Sequence, residues 1–436
     1  MKQFLFALIL FSISTKSNAQ TLYFPPLTGN TWDTLSPISL GWCPDKIDTL
    51  LDYLEDKNSK AFILLKDGKI VIEKYYGTFM RDSLWYWASA GKTLTAFMVG
   101  IAQQENYLSI SDTTSQYLGQ GWTNCSPSEE EKITIRHQLT MTSGLDDGGD
   151  PYCTIDTCLN YLADPGNRWA YHNAPYTLLD GVIENATGQT LNVYTNQKLK
   201  IPTGIDGAFI ASGFNNVYIS KPRGMARFGL LILNKGNWDG NQILTDTNYF
   251  SQMVNTSQSL NNSYGYLWWL NGKSNYMLPG LQFVFNGSMN PSAPNDMIAA
   301  LGKNGQFINV VPSQNLVYIR MGNAPDGGEV PAAINDTIWQ KLNDVMCNAT
   351  STKEIENDFS QLKIYPNPAA NVSTIELQGA SFDLFVYDVT ARLIYHKSNC
   401  TDKAELNTTN YESGIYSIRI QTEGQRVLNG NLIISK

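Results

Sequence analysis

A serine and a lysine three positions apart, Ser89-Ala90-Gly91-Lys92, stand at the head of residues 93–102, where Leu94, Phe97, Met98 and Ile101 recur at helical spacing. Positions i and i+3 are neighbours on a helix, so the hydroxyl and the amine can meet. The positive end of the helix also favours negative charge developing near Ser89. A serine hydroxyl is a poor nucleophile without a base. A lysine serves as that base only if burial or nearby cations bring its pKa down from ~10.4 by about three units, a change that buried lysines reach. The spacing recurs at Ser360-Gln361-Leu362-Lys363, at the end of a polar stretch where no cleft is expected, so the pattern alone is not specific.

Two further groupings follow in order. The first is Tyr171-His172-Asn173: a tyrosine near two lysines can have its phenol pKa lowered and carry a proton to a leaving group, while an asparagine amide can hold a substrate carbonyl. The same tripeptide pattern at Tyr194-Thr195-Asn196 and Tyr365-Pro366-Asn367 lacks such a setting. The second is Lys303-Asn304-Gly305-Gln306, just before a strand expected at residues 307–311. There Gly305 would let substrate lie against the strand edge, and the Gln306 N–H could join the Ser89 N–H in stabilising an oxyanion, a type of interaction often worth ~3 kcal/mol.

These three motifs in this order resemble the serine β-lactamase, penicillin-binding protein and esterase superfamily, in its class C branch, over roughly residues 40–345. Residues 133–145, Ile-Thr-Ile-Arg-His-Gln-Leu-Thr-Met-Thr-Ser-Gly-Leu, resemble a further family segment, and Gly224-Met225-Ala226-Arg227-Phe228-Gly229 resembles the family helix after the second motif. The resemblance implies Ser89 as nucleophile, Lys92 as its base, Tyr171 as proton relay, and Asn173 and Lys303 as substrate-positioning groups. The reaction implied is acyl transfer through an acyl-enzyme on a small ester, amide or short peptide, with no cofactor. The third motif departs from the lactamase-like Lys-Thr-Gly-Ser, and the missing hydroxyls count against efficient β-lactam turnover. Val99-Gly100-Ile101-Ala102 resembles the aminohexanoate-dimer hydrolase group. The alternative reading is a non-catalytic surface binding protein that keeps the penicillin-recognising fold.

The elements that must position these residues are legible in part. Residues 45–56 place Ile47, Leu50, Leu51 and Leu54 on one helical face, and Asp67-Gly68 between two β-rich runs signals a hairpin. Strands expected at 307–311 and 316–321, with a helix over 331–347, complete the far end. The economical arrangement is α/β (α+β): an antiparallel sheet from both ends of the segment, flanked by helices, with a helical lobe between them and a cleft at the junction. Cys43 precedes the first helix and Cys347 ends the last, so these two are expected to pair. Cys153 and Cys158 could close a short loop. Trp85, Tyr86, Trp87, Trp268 and Trp269 could line a pocket or fill the core.

Residues 1–19 have the layout of a secretory signal, with Lys2, a short apolar run and a small-residue end at Ala19, and no other segment is long and apolar enough to span a bilayer. The hydrolase domain is expected over 20–350, a linker over 351–360 and a small all-β sandwich over 361–436, where Tyr416, Ile418 and Ile420 alternate with Ser417 and Arg419. Lys363-Ile364-Tyr365-Pro366-Asn367-Pro368, residues 384–388, Ser413-Gly414-Ile415-Tyr416 and the closing Ile433-Ile434-Ser435-Lys436 resemble the sorting domain read by the type IX secretion system. That implies passage through the periplasm and the outer membrane, with the type IX machinery as a partner and a secreted or cell-surface destination. A carbohydrate-binding or adhesive sandwich is the alternative. With 31 basic against 39 acidic residues and no basic block, nothing favours nucleic acid. Three histidines without ligand spacing give no expected metal site, and Asp146-Asp147-Gly148-Gly149-Asp150 lacks the ligand alternation of a calcium loop and reads as a solvated turn near the cleft.

Overall fold

The computed structural model describes residues 22–325, 332–347, 362–388, 393–422 and 427–436. The expected signal and linker, and Ser360 of the second Ser/Lys pair, lie outside the described residues. Contacts divide the chain into two compact units, Met1–Asn348 and Ala349–Lys436.

In the first unit, helix α1 (Ile47–Asp56) buries Leu50 and Leu54 and leads into strands β1 (Ser59–Lys66) and β2 (Lys69–Tyr75). Asp67 and Gly68 both take positive φ (52° and 81°), the combination a two-residue hairpin turn needs. Strand β3 (Trp85–Tyr86) precedes the 3₁₀ turn Ala88–Gly91 and helix α2 (Lys92–Gln104). The helical middle includes α3 (Asn173–Thr177) and α4 (Leu179–Thr187), followed by strands β4 (Ala208–Ser212) and β5 (Asn215–Ser220) and helix α5 (Pro222–Leu233). The chain then supplies β6 (Trp269–Leu270), a small hairpin of β7 (Asn275–Tyr276) and β8 (Phe285–Asn286), then β9 (Ile298–Gly302), β10 (Gln306–Val311), β11 (Leu316–Gly322) and helix α6 (Ala332–Val345).

The main sheet is antiparallel in the order β2-β1-β11-β10-β9-β6. Alternation along β11 serves two helical layers. A Cβ on Gly229 of α5 would touch Val317 and Ile308, whereas Tyr318, on the opposite face, packs its ring on Trp339 of α6. Helix α6 lies against α1, and a Cys43–Cys347 disulfide with a Cα separation of 5.5 Å joins the chain before α1 to the chain after α6. Strands β3, β5 and β4 form a separate three-stranded sheet next to the Ser89 turn.

The second unit is an all-β fold of β12 (Leu362–Tyr365), β13 (Val372–Tyr387), β14 (Leu393–Asn407), β15 (Gly414–Thr422) and β16 (Val427–Ile434). The first half of β13 pairs with β12 and its second half with β15, while β14 pairs along both halves with register shifts. Ile375, Leu377, Leu384, Val386, Ile418 and Ile420 fill its core. Among the described residues no helix is long and apolar enough to cross a membrane, and no group of ligand side chains is placed to hold a metal ion.

Candidate active site

The turn that carries Ser89 is held from two sides. Trp87 is buried, with its indole N–H donating to Ser220 Oγ (2.7 Å) and its backbone N–H to Tyr218 O (2.8 Å), which ties the turn to β5. On the other side Gly302, at the end of β9, comes so near that a Cβ there would stand 2.6 Å from Trp87 O and 2.9 Å from Ala90 N. Between these supports Ala88 is held at φ 47°, a left-handed conformation costing a non-glycine residue about 1 kcal/mol. Such strain persists where the surrounding structure fixes the backbone.

The 3₁₀ turn brings positions i and i+3 nearly into register, and Lys92 Nζ donates to Ser89 Oγ at 2.8 Å. Lys92 is 3% exposed and forms no ion pair among the described residues. Its ammonium faces the rings of Tyr176 and Tyr171, at 4.2 and 5.1 Å from their centroids. Burial prevails over this attraction and brings the amine down to about 7.

Tyr171 also reaches Ser89, but its phenol does not follow the sequence expectation. Burial pushes its pKa up, and the hydrogen bond with Ser89 opposes this without overcoming it. Desolvation penalises a phenolate, and an amine that titrates near neutrality adds little positive charge to offset that penalty. The Tyr171 ring stacks on Trp269 (5.8 Å) within a group that includes Trp169 and Tyr264.

Two recesses meet at Ser89, of about 280 and 290 Å³, and share Ser89, Tyr152, Asn173 and Lys303. The first continues past Tyr171, Trp269 and Leu301, the second past Lys92, Tyr176 and Asn216. Asn173, at the start of α3, points an amide with no hydrogen-bond partner among the described residues at both. Lys303 is exposed at their shared mouth.

Gly305 and Gln306 are placed differently from the sequence expectation. Gly305 adopts φ 75°, and the space for its Cβ is filled by the Arg320 guanidinium, so the glycine serves the turn rather than a strand edge open to substrate. Gln306 belongs to β10, across the turn, and is 0% exposed. Its side chain accepts from Gly322 N (3.0 Å) and donates to Gly322 O (2.7 Å), and Gln306 lines neither recess. The strand bordering the recess is β9, which the sequence reading missed.

Two buried groups also escaped that reading. Arg320 donates to Ser59 Oγ, Asn304 O, Gly305 O and Lys57 O, clamping the turn that carries Lys303. Asp180 on α4 accepts from Asn216 Nδ2 (3.1 Å), lies beside the Thr95 hydroxyl, and is raised by burial to about 8. His172, between Tyr171 and Asn173, is buried, has no partner for Nδ1 among the described residues, and is brought down by burial to about 4, so it stays neutral. Of the aromatic residues singled out from the sequence, Tyr86 and Trp269 line the recesses, whereas Trp87 and Trp268 are core. Asp147 is not a solvated turn residue: it pairs with Arg168 (2.6 Å) and forms part of the recess wall, in a loop carrying a Cys153–Cys158 disulfide.

A hydroxyl hydrogen-bonded to a buried amine, beside a phenol and an unpaired amide, is an arrangement suited to acyl transfer. Residues 51–343, 293 of the 436, match the sequence profile of the family described as Beta-lactamase. The chain belongs to the Beta-lactamase family. Residues 363–435 match the Secretion system C-terminal sorting domain, which marks this Beta-lactamase family member for export by the type IX system to the cell surface or beyond. Among curated relatives, Protein flp of Staphylococcus aureus (strain NCTC 8325 / PS 47) is 27% identical over 180 residues, 36% of this chain and 36% of its own length. The chain therefore spans about a third of the curated relatives it first matches. Among solved structures, a candidate β-lactamase from Bacteroides dorei DSM 17855 has a TM-score of 0.56 at 17% identity, covering 70% of this chain and 99% of that one. A protein from Bacillus anthracis named as a candidate 6-aminohexanoate-dimer hydrolase has a TM-score of 0.53 at 18% identity, covering 75% and 88%. At these identities the likeness is one of fold.

Proposed function

We propose that the first unit is a serine hydrolase that forms an acyl-enzyme on Ser89 and hydrolyses small esters, amides or short peptides. The observation that carries this reading is the 2.8 Å contact between Ser89 Oγ and an amine that burial brings to about 7. At neutral pH much of that amine is unprotonated and can accept the Ser89 proton as Oγ bonds to the substrate carbonyl carbon. The Ser89 N–H, in the first turn before α2, is where helices leave donors without intrahelical partners, and it faces the developing oxyanion. Asn173 holds the acyl carbonyl side and Lys303 the polar end of the substrate. As the tetrahedral intermediate collapses, the bond to the leaving atom breaks, and that atom takes a proton through Tyr171, which stays protonated at rest and relays rather than stores charge. Water then adds to the acyl carbon, the Oγ–C bond breaks, and acid and the regenerated Ser89 result.

The test is an ester, amide and β-lactam panel on wild type and Ser89→Ala. Ser89-dependent turnover of at least one ester supports the reading. No Ser89-dependent turnover of any substrate would leave a surface binding protein on the same fold.

A further inference from the structure

The two recesses at Ser89 differ in the groups that reach them. Tyr171 lines the first and not the second, while Lys92 lines the second and not the first. If Tyr171 hands its proton to the leaving atom, as proposed above, that atom sits in the first recess and the acyl group in the second. The first recess is bounded by Trp269, Leu301, Pro151 and Pro279, and its charged lining is Asp147, already paired with Arg168, and Lys303 at the mouth.

The apolar character does not stop at the rim. Beyond Pro279 the chain presents Leu281 (46% exposed) and Phe283 (54%), with Phe283 edge-on to Phe285 at 4.7 Å and Phe285 stacked on Tyr276 at 5.1 Å. Gln282 Nε2, between them, donates to Trp169 O (3.0 Å) and ties this segment to the aromatic group under Tyr171. Tyr152 also lines the recess, and Ile155, three residues on in the loop closed by the Cys153–Cys158 disulfide, is 51% exposed. Single exposed apolar side chains need no explanation, but their recurrence in the two segments that supply Pro279 and Tyr152 to one recess does.

We propose that the first recess receives the leaving group of the substrate, and that this group is an extended hydrocarbon that runs from Ser89 past Trp269 and out against Leu281 and Phe283. The inference rests on the acyl-enzyme reading and adds the substrate class: esters of apolar alcohols, or amides of apolar amines. A cavity of about 280 Å³ is roughly twice one known to hold a benzene ring, so it takes several methylenes before the chain reaches the rim. In the balanced step Oγ bonds to the acyl carbon, the C–O bond to the alcohol breaks, the alkoxide takes the proton through Tyr171, and the alcohol departs over the apolar rim.

The experiment uses the full chain with ethyl, butyl, pentyl and hexyl acetates, kept below their solubility limits, and in parallel ethyl esters of acetate through hexanoate. Burying each methylene at about 0.8 kcal/mol predicts kcat/KM rising two- to fourfold per carbon along the alcohol series, on the order of 100-fold from ethyl to hexyl acetate. In Leu281→Ser/Phe283→Ser, changed at two exposed positions, the hexyl-to-ethyl ratio should fall by at least tenfold. A flat alcohol series with turnover still dependent on Ser89 would overturn the inference while leaving the acyl-enzyme reading intact. So would a steep acyl series beside a flat alcohol series, which places the hydrocarbon on the other side of the ester. Absence of any Ser89-dependent turnover would remove both.

Discussion

Replacing Lys92 by methionine, which has a similar length and no charge, should separate the cost of a buried amine from its use. In the unfolded chain this amine titrates near 10.5, and in the folded unit near about 7. Between those values the unfolded state holds more protons than the native state, so the penalty from Lys92 is full below about 7 and fades as pH rises toward 10.5. At ~1.36 kcal/mol per pH unit separating the two values, the amine costs about 4 kcal/mol at pH 7 and about 1 kcal/mol at pH 10. Lys92→Met should therefore exceed wild type in stability at pH 7, with the gap narrowing by about 3 kcal/mol by pH 10. All ten tryptophans precede residue 348, so urea unfolding followed by tryptophan fluorescence reports on the first unit without signal from the second. Groups common to both proteins cancel in the difference. The same variant should lose Ser89-dependent turnover by at least ~10³-fold, and the wild-type acylation rate should rise with pH through about 7. Stability curves that stay parallel from pH 6 to pH 10 would show that the lysine is charged in the folded state, and the reasoning about its role as base would fail.

Asp180, raised to about 8 by burial, stays protonated where an unfolded aspartate is ionised, so its contribution is present below about 4 and lost as pH rises through about 8. Asp180→Asn should therefore gain about 3 kcal/mol on wild type between pH 6 and pH 9, measured by the same urea titrations. Arg320→Lys, with one nitrogen in place of a fork that reaches four acceptors, should lose about 3 kcal/mol and lower kcat by loosening the Lys303 turn, read by thermal melting and steady-state kinetics. Gly305→Ala, at φ 75° and against Arg320, should be destabilised by about 2 kcal/mol, visible as a lower midpoint in urea. Asn173→Ala should reduce kcat/KM by about tenfold or more on esters with little change in melting temperature, since its amide bonds to no protein group among the described residues.

What was legible in the sequence was local. Ser89 and Lys92 meet because three positions are one turn, and Asp67-Gly68 names its own hairpin because both residues tolerate positive φ. The one-sided burial along Ile418 and Ile420, with Ser417 and Arg419 exposed between and beside them, follows from a period of two. What was not legible depended on register and on burial. Its position after a lysine and a glycine points Gln306 to the recess, but the strand beside Ser89 is β9, a five-residue apolar run without a sequence signature, and the turn carries Gln306 one strand further on. The upward push on Tyr171 comes from residues such as Tyr264 and Trp269, far off in sequence, that exclude water from its ring. Arg320 and Asp180 carry no sequence signal of their own within a strand and a helix. Their burial is visible only when β11 and α4 are packed against their neighbours.

Ser89 is proposed as the nucleophile, and a fluorophosphonate, which forms a phosphonyl ester on an activated serine with loss of fluoride, followed by intact-mass measurement of the full chain, tests this most directly. One adduct is expected, mapped to the peptide containing Ser89, forming faster as pH rises through about 7 and absent from Ser89→Ala. An unmodified wild-type chain, or an adduct that persists in Ser89→Ala, would contradict it.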